Sequence, residues 1–203
     1  MNENHAKKFF FEMNDIFNEI GLRYFLFLGT LLGAIREKRF ILIDKDLDIG
    51  VFKEEFDVKK YDLKSLFEKN GFDTKWKFHN LKARINNNST GLSIYKGTIE
   101  KGSKRQMHCD ICSFIKLKKW RYYPRDSIKG LMVLPAKLME ELKEIKFYGK
   151  KTKVPFYAEK VLELCYGKNW RIPHKKFIAE SGIGCQILPK AGDEFWWAKY
   201  EIL

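Results

Sequence analysis

Asp46-Leu47-Asp48-Ile49-Gly50-Val51 alternates polar and apolar residues with a period of two. In a strand, that period sends Asp46 and Asp48 to one face and Leu47, Ile49 and Val51 to the other. Two carboxylates this close on a core-anchored strand repel one another unless a cation lies between them. Hard divalent cations that keep waters and take up substrate phosphates are held by one or two such carboxylates. Upstream, the apolar run Tyr24 to Leu28 reads as a buried strand, Gly29-Thr30 breaks it, and Leu31 to Arg36 reads as a short helix opening at the break. A strand that ends in a glycine turn and opens a helix aims backbone N–H groups at one spot, an arrangement suited to phosphate. A phosphate cradle followed by a carboxylate pair is a constellation for metal-dependent phosphoryl or nucleotidyl transfer.

A second chemical stretch is Gln106-Met107-His108-Cys109-Asp110-Ile111-Cys112. As a strand it places His108 and Asp110 on one face and Cys109 and Ile111 on the other. A third carboxylate on a strand beside the first pair is what a two-metal site still lacks, and it can bind metal or accept a proton from an attacking hydroxyl. Cys109 and Cys112 have zinc-like spacing, but on an extended strand they face opposite ways and no second pair follows, so buried free thiols are expected. Cys165 and Cys185 stand alone.

Several elements must position these residues. Residues 3 to 20 read as an amphipathic helix, with Ala6, Phe9, Phe10, Met13, Ile16, Phe17 and Ile20 at helical spacing and Gly21 as its cap. Val58 to Asn70 reads as a second helix with Tyr61, Leu63, Leu66 and Phe67 on its apolar face, stopped by Gly71. Strands are expected at Thr74 to His79, Leu81 to Ile85, Leu92 to Tyr95 and Met107 to Ile115, with the polar stretch 97–106 as a loop between the last two. Lys118 to Tyr123 reads as a strand ending at Pro124, Pro135 to Leu142 as a short helix, and Pro155 to Tyr166 as a helix stopped by Gly167. The tail carries an aromatic patch at Phe195-Trp196-Trp197 that packs on the domain or marks an interface.

A chain of 203 residues, 45% hydrophobic and 32% charged, is sized for one good core with a small appendage. It has no apolar run near the ~20 residues of a membrane span. The start, MNENHAKKFFFEM, lacks the features of a signal peptide, and four cysteines do not make a disulfide scaffold, so a cytoplasmic protein is expected. The formal charge of +13 would suit a polyanion or an anionic membrane surface, but the lysines are scattered in pairs along the chain, which favours solvated faces.

GTLLGAIR followed by DKDLDIG resembles the LicD/fukutin-related family of the polymerase-β-like nucleotidyltransferase superfamily, whose stretch reads close to GTLLGxxRxxxxIPWDDDIDI. Asp44, Asp46 and Asp48 are kept. Lys45 stands where an acidic residue is common, and Leu42-Ile43 replaces Pro-Trp. His108-Cys109-Asp110-Ile111 resembles the family's H-x-D-I-F element, and Tyr166-Gly167-Lys168-Asn169-Trp170 with Pro173 resembles its closing Y-G-x-x-W and proline. The likeness covers roughly Glu3 to Pro173.

The resemblance implies an α+β nucleotidyltransferase fold, a mixed sheet flanked by helices with a C-terminal helical extension. Residues 1–173 would form the catalytic domain and 174–203 an extension packed on it. It further implies transfer of a phospho-alcohol, such as phosphocholine or ribitol phosphate, from a CDP-linked donor to a glycan or glycolipid hydroxyl, with release of CMP and room for peripheral membrane contact. Asp46, Asp48 and Asp110 would be the catalytic and metal-holding residues for Mg2+ or Mn2+. Gly29 and Thr30 would contact phosphate, and Arg36 and Arg84 are candidate phosphate clamps. Two alternatives stand beside this reading: transfer of an NMP from an NTP on the same fold, and a non-enzymatic basic nucleic-acid-binding protein whose binding would survive loss of Asp46 and Asp48.

Overall fold

The computed structural model describes residues 2–79, 89–96, 107–125, 130–173 and 185–187. Helix α1 (Glu3–Glu19) starts at Asn2, whose side-chain oxygen accepts from the Asn4 and His5 N–H groups at 3.1 and 3.2 Å. It ends at Gly21 (φ +62°), where the Leu22 N–H returns to the Phe17 carbonyl, so the glycine stop read from the sequence is a left-handed cap. Strand β1 (Tyr24–Leu26) follows, then α2 (Leu28–Leu32), which continues without a break as a π-helical turn (Gly33–Glu37). Gly29 and Thr30 therefore lie inside the first turn of the helix rather than in a turn before it.

Strand β2 (Asp46–Phe52) runs directly into α3 (Lys53–Lys69). The helix begins five residues before the expected Val58. Glu54 and Glu55 in its first turn are received by cations from elsewhere in the fold: Arg121 binds Glu54 at 2.6 and 2.7 Å, and Arg23 binds Glu55. Phe56, Leu63 and Phe67 form its buried face, while Tyr61 is exposed and meets the edge of Trp76. Then come β3 (Asp73–His79), β4 (Ser89–Lys96), β5 (Met107–Leu117), β6 (Trp120–Arg125), β7 (Gly130–Pro135) and α4 (Ala136–Met139). The described elements close with β8 (Leu142–Phe147), β9 (Lys150–Pro155), α5 (Ala158–Tyr166) and β10 (Cys185–Ile187). The expected strand over 81–85, the loop over 97–106 and the aromatic tail patch lie outside the described residues. Of 174–203, only β10 is described, and α5 is the last described helix.

The expected helix over 135–142 is a single turn, because residues 142–155 form a hairpin instead. Its Lys and Glu residues alternate with Ile145, Phe147, Thr152 and Val154, a strand period masked by the charge of the segment. Its turn is Tyr148-Gly149, both at positive φ (51° and 81°), the conformation of a two-residue hairpin loop. Consequently α5 starts at Ala158, after β9 has ended at Pro155.

The fold is α+β. Strand β2 pairs antiparallel with β1 on one side and parallel with β5 on the other. Strand β5 also pairs with β4, and β4 with β3, while the far end of β5 turns through Lys118-Lys119 into β6 and on to β7 and β10. Leu47, Ile49 and Val51 of β2, Cys109 and Ile111 of β5, and Leu92 and Ile94 of β4 share one face, fully buried, on which α1 and α3 pack. Each large apolar side chain buried there contributes about 1.5–3 kcal/mol. A one-residue slip of β2 would exchange that row for Asp46 and Asp48, so the apolar row locks the register that places the carboxylates.

Farther along the other face, Gly50 lies against the ring of Phe25, which meets Phe27, Phe52 and Phe114 at centroid distances of 6.2, 5.4 and 5.9 Å. Any Cβ at position 50 would overlap the Phe25 ring. Gly50→Ala should lower stability by about 1–3 kcal/mol through this overpacking. A urea titration should show an earlier midpoint with an unchanged slope, and an unchanged midpoint would refute the packing account.

Candidate active site

The parallel register of β2 and β5 sets Asp46 opposite His108 and Asp48 opposite Asp110, all on the face turned away from α1 and α3. Ligand atoms of Asp46, His108 and Asp110 lie within 4.8 Å of one another, a set able to hold a metal ion. The His108 Nε2 atom is 3.4 Å from an Asp46 oxygen, and its ring stacks on Tyr95 from β4 at a centroid distance of 5.6 Å. Asp110 is engaged at both oxygens. The buried Ser93 hydroxyl of β4 donates to Oδ1 at 2.7 Å, and the Lys77 ammonium of β3 is paired with Oδ2. Asp48 continues the carboxylate row one pleat along β2. Its backbone N–H donates to the Thr30 hydroxyl at 2.9 Å, and its carbonyl accepts the Phe27 N–H at 3.0 Å.

A fourth carboxylate, Asp44, enters from the loop ahead of β2. It lies directly on Gly29, where any Cβ would overlap the Asp44 carboxylate, and it accepts the Lys45 N–H at 3.0 Å. The loop is held in place at two points. Gly33 lets the Arg39 carbonyl approach to a distance of 2.6 Å from where a Cβ would stand, and the Phe40 N–H donates to the Tyr148 hydroxyl of the hairpin turn at 2.8 Å.

Burial, then the neighbouring Asp46 charge and the hydrogen bond between the two, push Asp44 up to about 6. Asp46 moves the other way, held below the ordinary carboxylate range mainly by its hydrogen bond with His108 and further by that with Asp44. Asp44 is therefore the member of the pair that takes up a proton first as pH falls. His108 is raised by the same contact with Asp46. Burial pulls Lys77 down, but its hydrogen bond and ion pair with Asp110 outweigh that and leave it raised. Four carboxylates thus gather around one ammonium, Lys77, and one imidazole, His108, that Asp46 makes easier to protonate. The excess of negative charge, which makes Asp44 harder to ionise, fits a divalent cation.

Of the residues singled out in the sequence, Asp46, Asp48, Asp110, Gly29 and Thr30 are brought to this face or its margin. Thr30 is 2% exposed, with its hydroxyl directed at the β2 backbone. Arg36 is held elsewhere, donating from Nη1 to the Trp170 carbonyl and from Nε to Glu37 at 2.9 and 2.8 Å, so it ties the π-helical turn to the segment after α5. Arg84 lies outside the described residues. His108 as a ligand, Ser93, Lys77 and the Asp44–Gly29 contact were not assigned from sequence. The signal for His108 was its place two residues before Asp110. Lys77 offered only the alternation of Lys75 and Lys77. Cys109, Cys112 and Cys165 are buried thiols outside any disulfide.

A mixed sheet with two flanking helices on one face, and on the other a D-x-D strand paired in parallel with an H-x-D strand, defines a nucleotidyltransferase-type domain. The family described as LicD/FKTN/FKRP, nucleotidyltransferase domain, matches residues 21–156, about two thirds of the chain, and the chain belongs to that family. It is accordingly a transferase of the nucleotidyltransferase fold. No curated protein matches the chain. No helix among the described residues is long and apolar enough to cross a membrane.

The Asp44 shift carries a sign. Its folded value of about 6 exceeds the ordinary 3.8, so its contribution is full below pH 4 and is lost as pH rises through 6. Asparagine keeps the geometry of the protonated acid and has no proton to lose. In a chelator, Asp44→Asn should match the wild type near pH 4 and exceed it above pH 7 by on the order of 1 kcal/mol, or about 2–4 °C in Tm. Equal melting curves across that range would show that Asp44 is not strained by Asp46.

Proposed function

We propose that this protein is a metal-dependent phosphotransferase that moves a phospho-alcohol from a CDP-linked donor to a glycan hydroxyl and releases CMP. The observation that carries this is the convergence of Asp46, His108 and Asp110 within 4.8 Å, amid excess negative charge, on a LicD-type domain. In the reaction the acceptor oxygen bonds to the phosphorus that bears the alcohol, the bridging P–O bond breaks, and CMP leaves with the electron pair. Asp46, His108 and Asp110, with Asp48 beside them, would hold the metal. When bound, that ion neutralises the diphosphate charge, which is the main demand of phosphoryl transfer. The acceptor hydroxyl gives its proton to the carboxylate group these residues form.

Carboxylates alone would suit Mg2+, and an imidazole nitrogen in the set tips the choice toward Mn2+. We assign Gly29 and Thr30 to positioning: Gly29 admits Asp44 and Thr30 holds the Asp48 backbone. Arg36 fixes the helix that carries them. Family membership supports a CDP-linked donor and a glycan acceptor, and the alternative chemistry is NMP transfer from an NTP.

The nucleotide and the products decide between these readings. A nucleotide at a hundred times its dissociation constant stabilises a protein by about 2.7 kcal/mol, a shift of roughly 5–10 °C for a domain of this size. We expect that shift with Mn2+ and CDP together, not with either alone or with ADP, GDP or UDP, and its loss in Asp46→Asn. CMP should then be released from a CDP-alcohol. Release of pyrophosphate from an NTP would instead establish nucleotidyl transfer, and a shift that persists in Asp46→Asn would refute this metal site.

A further inference from the structure

The geometry points to Lys77 as an internal counter-ion that is exchanged for the metal and then binds the donor's phosphates, coupling uptake of metal to uptake of nucleotide. This inference rests on the metal reading above, and it concerns a residue outside the family's acidic motifs.

Lys77 is on β3, two strands from β5, and its side chain must cross β4 to reach Asp110. It crosses at Gly91, its register partner. A Cβ on Gly91 would stand 2.9 Å from the Ile111 carbonyl oxygen, too close for the β5 backbone, and 3.5 Å from the Lys77 Cβ, in contact with the lysine stem where it crosses. The bare position on β4 is what allows a third-strand lysine to reach the site. Its ammonium is paired with Asp110 Oδ2, while Ser93 donates to Oδ1. Asp110 is 17% exposed and Lys77 35%, so the pair spans from the floor of the site to its rim.

These contacts differ in what they permit. A hydroxyl can keep its hydrogen bond to a carboxylate that also ligates a metal. An ammonium ion and a divalent cation compete for the same oxygen and repel one another. Metal entering among Asp46, His108 and Asp110 therefore displaces Lys77 from Asp110. With its stem fixed on β3 beside Gly91, the ammonium stays at the rim, where the diphosphate of a metal-bound donor is the available anion. Metal alone costs the lysine its partner, and metal with nucleotide restores one. Each ligand should therefore tighten the other by the same factor. A lysine serving only to stabilise the fold would leave that factor unchanged when replaced.

The test is a linkage cycle on the full chain, reading free Mn2+ by electron paramagnetic resonance with and without saturating CDP. In the wild type, CDP should tighten Mn2+ binding. Lys77→Met should bind Mn2+ alone roughly tenfold more tightly, because a competing unit charge has gone, and should show a CDP enhancement smaller by about that factor, keeping only the share from the metal's own contact with the diphosphate. Lys77→Gln, whose amide can still hydrogen-bond Asp110 and so preserves the local fold, should behave as Lys77→Met does. Lys77→Arg should retain the enhancement. Unchanged or weaker Mn2+ binding in both neutral variants, or an undiminished CDP effect, overturns the exchange while leaving the metal site standing. No Mn2+ uptake by the wild type overturns the metal site and the exchange together.

Discussion

The site depends on one constraint, the parallel register between β2 and β5. Leu47, Ile49 and Val51 on one strand and Cys109 and Ile111 on the other are buried against α1 and α3. Because side chains alternate along a strand, burying those residues forces Asp46, Asp48, His108 and Asp110 onto the opposite face. Like charges at this spacing repel, and isolated strands would relieve the repulsion by slipping or twisting apart. The buried row prevents this, since a slip would expose several large apolar side chains and bury two carboxylates. The site is thus held together by hydrophobic burial on the face where no chemistry occurs.

Much of this frame was legible because it depends on period and on local stops. Alternation around Asp46 and Asp110, the apolar spacing of α1, and Gly21, Gly71 and Gly167 as helix ends are local signals, and the structure has those elements in those places. Family membership was legible for the same reason, since GTLLGAIR, DKDLDIG and HCDI are contiguous stretches. The boundaries that moved were set by distant partners. Helix α3 begins at Lys53 because Arg121 and Arg23 receive its first-turn acids, and neither arginine can be matched to them from sequence. The hairpin of β8 and β9 was hidden by its many charges, although its residues alternate with a period of two.

What sequence could not reveal in the site is likewise non-local. Lys77 lies 33 residues from Asp110 and reaches it only because β4 presents Gly91 at the crossing. Two alternating lysines on an exposed strand look like solvated charge until the sheet order β3-β4-β5 is known. Gly29 read as part of a phosphate cradle, since a glycine before a helix usually means open backbone N–H groups. Its neighbour in the fold is instead the Asp44 carboxylate. Gly29 is needed there for space, as Gly50 is beneath Phe25 and Gly33 beneath the returning loop.

The charge balance of the site then explains why its carboxylates are not uniform. Asp44 is pushed up by burial and by Asp46, Asp46 is held down by His108, and Asp110 is covered by Ser93 and Lys77. A surface carboxylate cluster would need none of these arrangements, because water would screen it. Here the half-buried face sets the Lys77 ammonium on Asp110 and makes Asp44 harder to ionise. The upward shift of Asp44, the ammonium on Asp110 and the upward shift of His108 all answer the same excess charge, which a divalent ion would also answer. Holding four carboxylates on one half-buried sheet face costs charge repulsion, which Lys77 and the His108 contact with Asp46 offset in part and a bound divalent ion would offset further.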